Sequence, residues 1–314
     1  MVTNDGKNTP IENGTEMSGT ITPQRYPTPL RYPGGKQRLG VFFESVLDQN
    51  DLVGARYAEP FAGGAGAALY LLRRGLVGQV YLNDLDRSLY AFWAAVKHQN
   101  AELCARIEKT PITLREWDRQ KAVQRHKGNA PLFELGFSTL FLNRTNRSGI
   151  LRAGVIGGRR QNGQWRLDAR FNKQALIQRI RALQPVAARI HVSCLDAVEF
   201  LKRFNHRSPK ATLVYLDPPY FVKGRDLYLN RYGPADHAAL AKWITSELSY
   251  PWVLTYDDVV AVRELYSGYR KRTYELSYTA DSRRQGREVM VLSPGLKIPR
   301  AHNHSITSLF RLRP

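Results

Sequence analysis

Seven short runs rich in β-branched and aromatic residues alternate with amphipathic helical patterns, and this alternation restricts the chain to an α/β architecture. The runs are residues 56–59, 79–83, 189–193, 212–216, 252–256, 272–277 and 288–292. Helical spacing of apolar residues falls between them at 66–74, 87–97, 173–183, 197–204 and 235–247. A strand, a crossover helix and a further strand pack best as a parallel sheet covered on both faces. The last two runs have no helix between them and read as a hairpin, which adds an antiparallel edge. The expected fold is therefore a mostly parallel α/β sheet with an antiparallel edge hairpin.

One interval breaks the rhythm. Roughly a hundred residues separate Asp84 from His191, whereas a βαβ unit needs only about 30. The excess contains three helical stretches, AFWAAVKHQNAELCARIEK, LREWDRQKAVQRH and APLFELGFSTLFL. It ends in a Gly- and Arg-rich loop carrying Arg144, Arg147, Arg152, Arg159, Arg160, Arg166 and Arg170, with Asp168 as its one acid. Residues 98–172 are expected to form an inserted, mainly helical module at the sheet edge. The sheet itself is expected to use 25–97 and 173–296. Residues 1–24 read as a polar, flexible leader without the apolar stretch of a secretory signal. Residues 297–314 read as a basic tail.

Composition narrows the partner. The net charge is +20, a surplus whose field favours a polyanion such as nucleic acid. There is no run of about 18 apolar residues to cross a membrane and no basic amphipathic helix to lie on one. Cys104 and Cys194 are the only cysteines. They make neither a metal cluster nor a disulfide framework and fit a reducing cytoplasm. No heptad pattern appears, so a monomer is expected.

Four segments carry chemistry. In LVYLDPPYF a buried strand ends at Asp217, and Pro218 and Pro219 cannot continue a ladder. Ligands in open α/β sheets lie beyond the carboxyl ends of strands. Asp217 offers acceptors there, and Tyr220 offers a flat ring; together they suit an aromatic amine. In RYAEPFAGGAGAALYLL, Glu59, Pro60 and Phe61 precede Gly63, Gly64 and Gly66. The spacing is not G-x-G-x-x-G, so a pyrophosphate cradle is not expected. In VYLNDLD, Asp84 stands where an acid holds ribose hydroxyls in nucleotide folds, although Asp84 or Asp86 can equally cap the next helix. Asp196, in VSCLDAVEF, ends a strand with Glu199 at capping-box spacing, and its position also suits contact with a purine. The arginine-rich loop can meet phosphates, with a few side chains reaching base edges.

Taken in order, Pro33-Gly34-Gly35-Lys36, Glu59-Pro60-Phe61-Ala62-Gly63-Gly64, Asn83-Asp84, Phe141-Leu142-Asn143-Arg144 and Asp217-Pro218-Pro219-Tyr220 resemble the α group of adenine-specific N6 DNA methyltransferases. The resemblance spans about residues 30–295. It implies a Rossmann-like methyltransferase sheet, S-adenosylmethionine as methyl donor, no metal, and double-stranded DNA as partner in the cytoplasm. By the same resemblance, Tyr32, Gly34, Gly35 and Lys36 contact the cofactor, many relatives having Trp at the Tyr32 position. Glu59 to Gly64 wrap the methionine moiety and Asp84 binds the ribose. Asp217 sits against both cofactor and target, it and the Pro218 carbonyl accept the N–H bonds of the target amine, Pro219 completes the catalytic motif, and Tyr220 stacks on the flipped adenine. Asn143, Arg144, Arg147, Arg152, Arg159 and Arg160 are expected at the DNA, with Arg152 as base reader. The segment FVKGRDLYLNRYG is expected to close over the base. The recognition loop departs most from relatives that read GATC. An RNA adenine methyltransferase, a non-catalytic DNA binder on the same scaffold and a nucleotide-dependent oxidoreductase are the competing readings.

Overall fold

The computed structural model describes residues 28–31, 39–205, 211–221, 232–278 and 284–299. Seven strands form one sheet: β1 (Arg56–Glu59), β2 (Gln79–Asn83), β3 (Ile190–Ser193), β4 (Thr212–Leu216), β5 (Trp252–Asp257), β6 (Arg270–Tyr278) and β7 (Arg284–Leu292). Their order is β3-β2-β1-β4-β5-β7-β6. The first five strands are parallel. β7 runs antiparallel to both β5 and β6, the edge hairpin that the missing helix predicted. Every residue of β4 and β5 is buried, as continuous apolar strands require when both faces are covered.

The chain turns left from β1 to β2 and β3, then returns to place β4 on the other side of β1. In open α/β sheets such a reversal, here between β1 and β4, is where a ligand crevice forms beyond the carboxyl ends of the strands. Helices α1 (Leu39–Gln49), α2 (Gly66–Arg73), α3 (Arg87–His98) and α7 (Lys173–Arg181) bury Phe42, Phe43, Leu69, Trp93 and Ile177 against Tyr57, Leu82, Tyr215 and Val253. Helices α8 (Ala197–Asn205), α9 (Pro234–Ser246) and α10 (Val260–Leu265) cover the opposite face, where Leu201, Leu240 and Val262 meet Ala58, Val214, Leu216 and Leu254. Consecutive residues such as Tyr57 and Ala58 fall in different clusters, as the two-residue period of a strand dictates.

Between α3 and α7 lie α4 (Asn100–Lys109), α5 (Leu114–Arg125) and α6 (Leu132–Thr145). The helical pattern running through residues 91–109 breaks at Gln99, whose backbone is non-helical. The cause is tertiary: the Asn100 side chain donates to the carbonyls of Val96 and of Ile180 on α7, at 3.1 and 2.8 Å. Leu103, Ile107, Phe137 and Phe141 join the same core as the sheet, so this region is packed onto the sheet layer through one continuous apolar interior. Within it α6 packs backbone to backbone against α3 at Gly136. A Cβ on Gly136 would lie 2.5 Å from the Ala91 carbonyl oxygen, and neither backbone can yield without separating the helices. Gly136→Val is therefore expected to destabilise the protein by about 1–3 kcal/mol, read as a lowered midpoint in urea unfolding.

Candidate functional site

Asn83, the last residue of β2, joins the loops at the carboxyl ends of the sheet. Its side chain is wholly buried and makes four hydrogen bonds. Nδ2 donates to the carbonyls of Pro60, after β1, and Leu195, after β3, at 3.0 and 2.9 Å. Oδ1 accepts from the Ser193 hydroxyl and the Leu195 N–H at 2.8 and 3.0 Å. Its own carbonyl accepts the Ala62 N–H at 2.8 Å. A carboxylate could not supply the two donations. Asn83 stood in the sequence motif only as the neighbour of Asp84; its place between two strand ends depends on the parallel pairing of β1, β2 and β3.

The glycine turn is tied from three sides. Gly63, with φ of 46°, donates its N–H to Asp84 Oδ2 at 3.0 Å and accepts from the buried Trp93 indole at 3.0 Å. The Gly64 carbonyl accepts the Thr28 hydroxyl at 2.6 Å. Asp84 Oδ1 takes the Asp86 N–H at 2.9 Å. The ambiguity between the two acids resolves: Asp86 caps α3 through the Ser88 N–H at 3.0 Å and pairs with Lys127 at 2.9 Å, while Asp84 faces the turn. Beside it Leu85 is 45% exposed, an apolar side chain open to a ligand. Burial pushes the Asp84 carboxyl up to about 7 against the pull of those two N–H donors.

Glu59 is buried and accepts the Ala68 N–H at 3.1 Å. The residue preceding α2, Ala65, has no capping side chain and sits at φ of 47°, so Glu59 supplies the missing acceptor from the strand below. Burial raises its carboxyl from 4.5 to about 8. Phe61 is edge-on to Tyr232, ring centroids 5.8 Å apart. Asp196 is exposed and caps α8 through the N–H groups of Val198 and Glu199 at 2.9 and 3.3 Å. The capping box is one-sided, because Glu199 turns to Arg203 at 2.7 Å. Asp196 also lines a cavity of about 420 Å³ with Tyr232, Asp236, Lys242 and Trp243. Tyr32, Gly34, Gly35 and Lys36 lie outside the described residues, as do residues 222–231 of the expected closing loop.

At the end of β4, Asp217 Oδ1 accepts from the Thr255 hydroxyl at 2.8 Å, and that hydroxyl lies 2.9 Å from the Tyr215 hydroxyl. Pro218 is buried and Pro219 half-buried. Tyr220 is buried and donates its hydroxyl to Glu288. Phe221 donates its N–H to Asp257 at 2.8 Å. Thr255, Asp257 and Glu288 come from β5 and β7 and carry no motif signal. Among the described residues no group of three His, Cys, Asp or Glu is arranged to hold a metal, and no helix is long and apolar enough to cross a membrane.

The expected DNA-facing residues divide. Asn143 and Arg144 are buried, contrary to a place on the binding surface. Asn143 exchanges hydrogen bonds with the Arg31 backbone, both 2.7 Å, and donates to the Gly149 carbonyl at 2.9 Å. Arg144 donates to the Pro29 carbonyl through Nε and Nη2; burial, with Arg179 and Arg31 nearby, lowers its pKa to about 9. Both side chains hold residues 29–31, which directly precede Tyr32. Arg147, Arg152, Arg159, Arg160, Arg166 and Arg170 are exposed. Arg159 is compensated by Asp118 of α5 through a two-pronged pair at 2.7 and 2.9 Å, an acid supplied from well outside the loop.

Asn83→Ala would leave the Leu195 N–H and the two carbonyls without this partner, and a loss of about 2–4 kcal/mol is expected, measured by urea unfolding. Glu59 holds a proton in the folded protein that the unfolded chain releases above about pH 4.5. Its contribution to stability is therefore present below that pH and lost as pH rises through about 8. The unfolding midpoint should fall from pH 6 to pH 9, and Glu59→Gln should flatten that fall.

Among solved structures the chain is similar to the rRNA methyltransferase aviRa from Streptomyces viridochromogenes, with 15% identity over 83% of this chain and 86% of that one and a TM-score of 0.35. It is also similar to a protein from Legionella pneumophila str. Philadelphia 1, with 8% identity over 90% and 91% and a TM-score of 0.37. Both overlaps are loose and neither bears on the chemistry. No curated protein sequence matches significantly. Residues 32–280, however, match the model of the D12 class N6 adenine-specific DNA methyltransferases. That match begins shortly before α1, reaches the β6–β7 edge and takes in the glycine turn, Asn83-Asp84 and Asp217 to Tyr220, and the chain belongs to that family.

Proposed function

We propose that this protein transfers a methyl group from S-adenosylmethionine to the exocyclic N6 amine of adenine in duplex DNA. The observation that carries the reading is Asp217, fixed by Thr255 at 2.8 Å, beside Pro218 and Tyr220 at the crevice where the strand order reverses. The family match supports the reaction class, and the net charge of +20 supports a polyanionic partner.

The residues beyond β1 and β2 fit an adenosyl group. Asp84 is a carboxylate with lone pairs left for hydroxyl donors, and exposed Leu85 can cover a purine face. Glu59 to Gly64 and the segment Tyr32 to Lys36 would hold the methionine end. When bound, S-adenosylmethionine supplies an electrophilic methyl on a sulfonium. Asp217 and the Pro218 carbonyl accept the two N–H bonds of the adenine amine, which otherwise shares its lone pair with the ring. Those bonds draw the nitrogen toward tetrahedral geometry and aim its lone pair, so positioning supplies much of the rate. The lost proton passes to Asp217 or to water bonded to it. The base must leave its stack, at a cost of a few kcal/mol, and a Tyr220 face offsets about 1–3 kcal/mol. Exposed Arg147, Arg152, Arg160, Arg166 and Arg170 serve the DNA backbone and base edges.

Asp217→Ala should lower methyl incorporation into DNA by about 10²-fold or more while leaving non-specific DNA binding in place. Thr255→Val, which removes the hydroxyl that bonds that carboxylate and also meets the Tyr215 hydroxyl, should cost roughly tenfold in kcat. Parallel assays on matched DNA and RNA duplexes, with tritiated methyl as readout, test the substrate: incorporation into RNA alone would overturn the DNA reading. Affinity for DNA should fall steeply with added salt as counterions are released.

A further inference from the structure

The tyrosine of the Asp217 to Tyr220 turn is held from β7, two strands along the sheet from β4. Glu288 on β7 accepts the Tyr220 hydroxyl on Oε1 and the Tyr274 hydroxyl on Oε2. Glu288 stands directly opposite Asp257 of β5 and Tyr274 of β6 in the antiparallel register, so the three side chains share one face. All three are buried. Asp257 in turn accepts the Phe221 N–H at 2.8 Å. Two neighbouring carboxylates thus grip two consecutive residues, Tyr220 at its outer tip and Phe221 at its backbone.

Sheet stability does not call for this arrangement. Val289, Met290, Val291 and Leu292 continue β7 as fully apolar residues, and an apolar side chain at 288 would avoid the cost of desolvating an acid. What the acid provides is direction. A tyrosine anchored only at Cα can swing about χ1 and χ2. One held also at its hydroxyl, by a carboxylate whose second oxygen is already engaged, presents a ring of fixed height and tilt.

We propose that Glu288 is a positioning residue for methyl transfer, acting through the Tyr220 hydroxyl to preset the surface on which the extruded adenine stacks beside Asp217. This rests on the function proposed above. The β6–β7 hairpin is then part of the reaction apparatus as well as the sheet edge.

A double-mutant cycle tests it, with turnover expressed per active site counted by binding of labelled S-adenosylmethionine, so that any unfolded fraction drops out. Glu288→Ala and Tyr220→Phe should each lower kcat on the order of tenfold, with KM for S-adenosylmethionine within about twofold of the parent. Combined, they should be no worse than the more impaired single variant. Glu288→Gln should recover turnover to within roughly threefold of the parent, since its amide oxygen can accept from Tyr220 while its NH2 donates to Tyr274. If Glu288→Ala does not fold, Tyr274→Phe replaces it, and its loss should vanish in the Tyr220→Phe background. Losses that multiply, a folded Glu288→Gln as impaired as Glu288→Ala, or per-site turnover unchanged in the single variants would each overturn the proposal. An active parent with multiplied losses withdraws only this proposal, whereas a parent inactive on DNA withdraws the reading of function and this one with it.

Discussion

The upper end of the sheet depends on a buried amide. Parallel strands end together on one side, and each leaves a loop whose backbone groups have lost their ladder partners. Asn83 meets this need for β1 and β3 at once, donating to Pro60 and Leu195 and accepting from Ser193 and Leu195. With those loops fixed, the glycine turn can be drawn against Asp84, and the crevice beside β4 acquires a rigid wall. Hydrogen bonds of this kind contribute about 1 kcal/mol each in net terms, but their larger effect is to exclude other loop arrangements.

The same end of the molecule concentrates buried or half-buried acids in a chain whose surface is strongly basic. Glu59, Asp84, Asp217, Asp257 and Glu288 are each satisfied by N–H or O–H donors from the protein. Burial drives Glu59 and Asp84 upward, to about 8 and about 7. These acids do not offset the surface arginines. They act as acceptors that shape loops and hold the Tyr220 hydroxyl and the Phe221 N–H, while most of the exposed arginines of the 144–170 loop remain open to a polyanion.

The two faces of the sheet divide the work. Beyond α3, the long insertion packs through α6 and Gly136 onto the layer that also carries Trp93, the indole that braces Gly63. The loop arginines are thereby referenced to the same frame as the glycine turn. Arg144 and Asn143 strengthen the link by fixing residues 29–31, directly before Tyr32. In the resemblance these two residues looked like DNA contacts; their burial makes them braces.

Local sequence determined much of this protein. Strand-like runs and helix spacing marked all seven strands and the order of α2, α3, α7, α8 and α9, because period and turn chemistry are properties of adjacent residues. The glycine turn and the Asp217 to Tyr220 turn were legible for the same reason: each is contiguous. What only tertiary structure decided is which distant groups meet. Thr255 and Glu288 reach the Asp217 to Tyr220 turn because β5 and β7 are laid beside β4 in a particular order and register. Asp118 neutralises Arg159 across the insertion, and Asn100 breaks a continuous helical pattern by bonding to α7. Hydrogen bonds and ion pairs between residues far apart in the chain leave no periodic trace in it, since they arise from the geometry of packing and not from the spacing of side chains along one strand or helix.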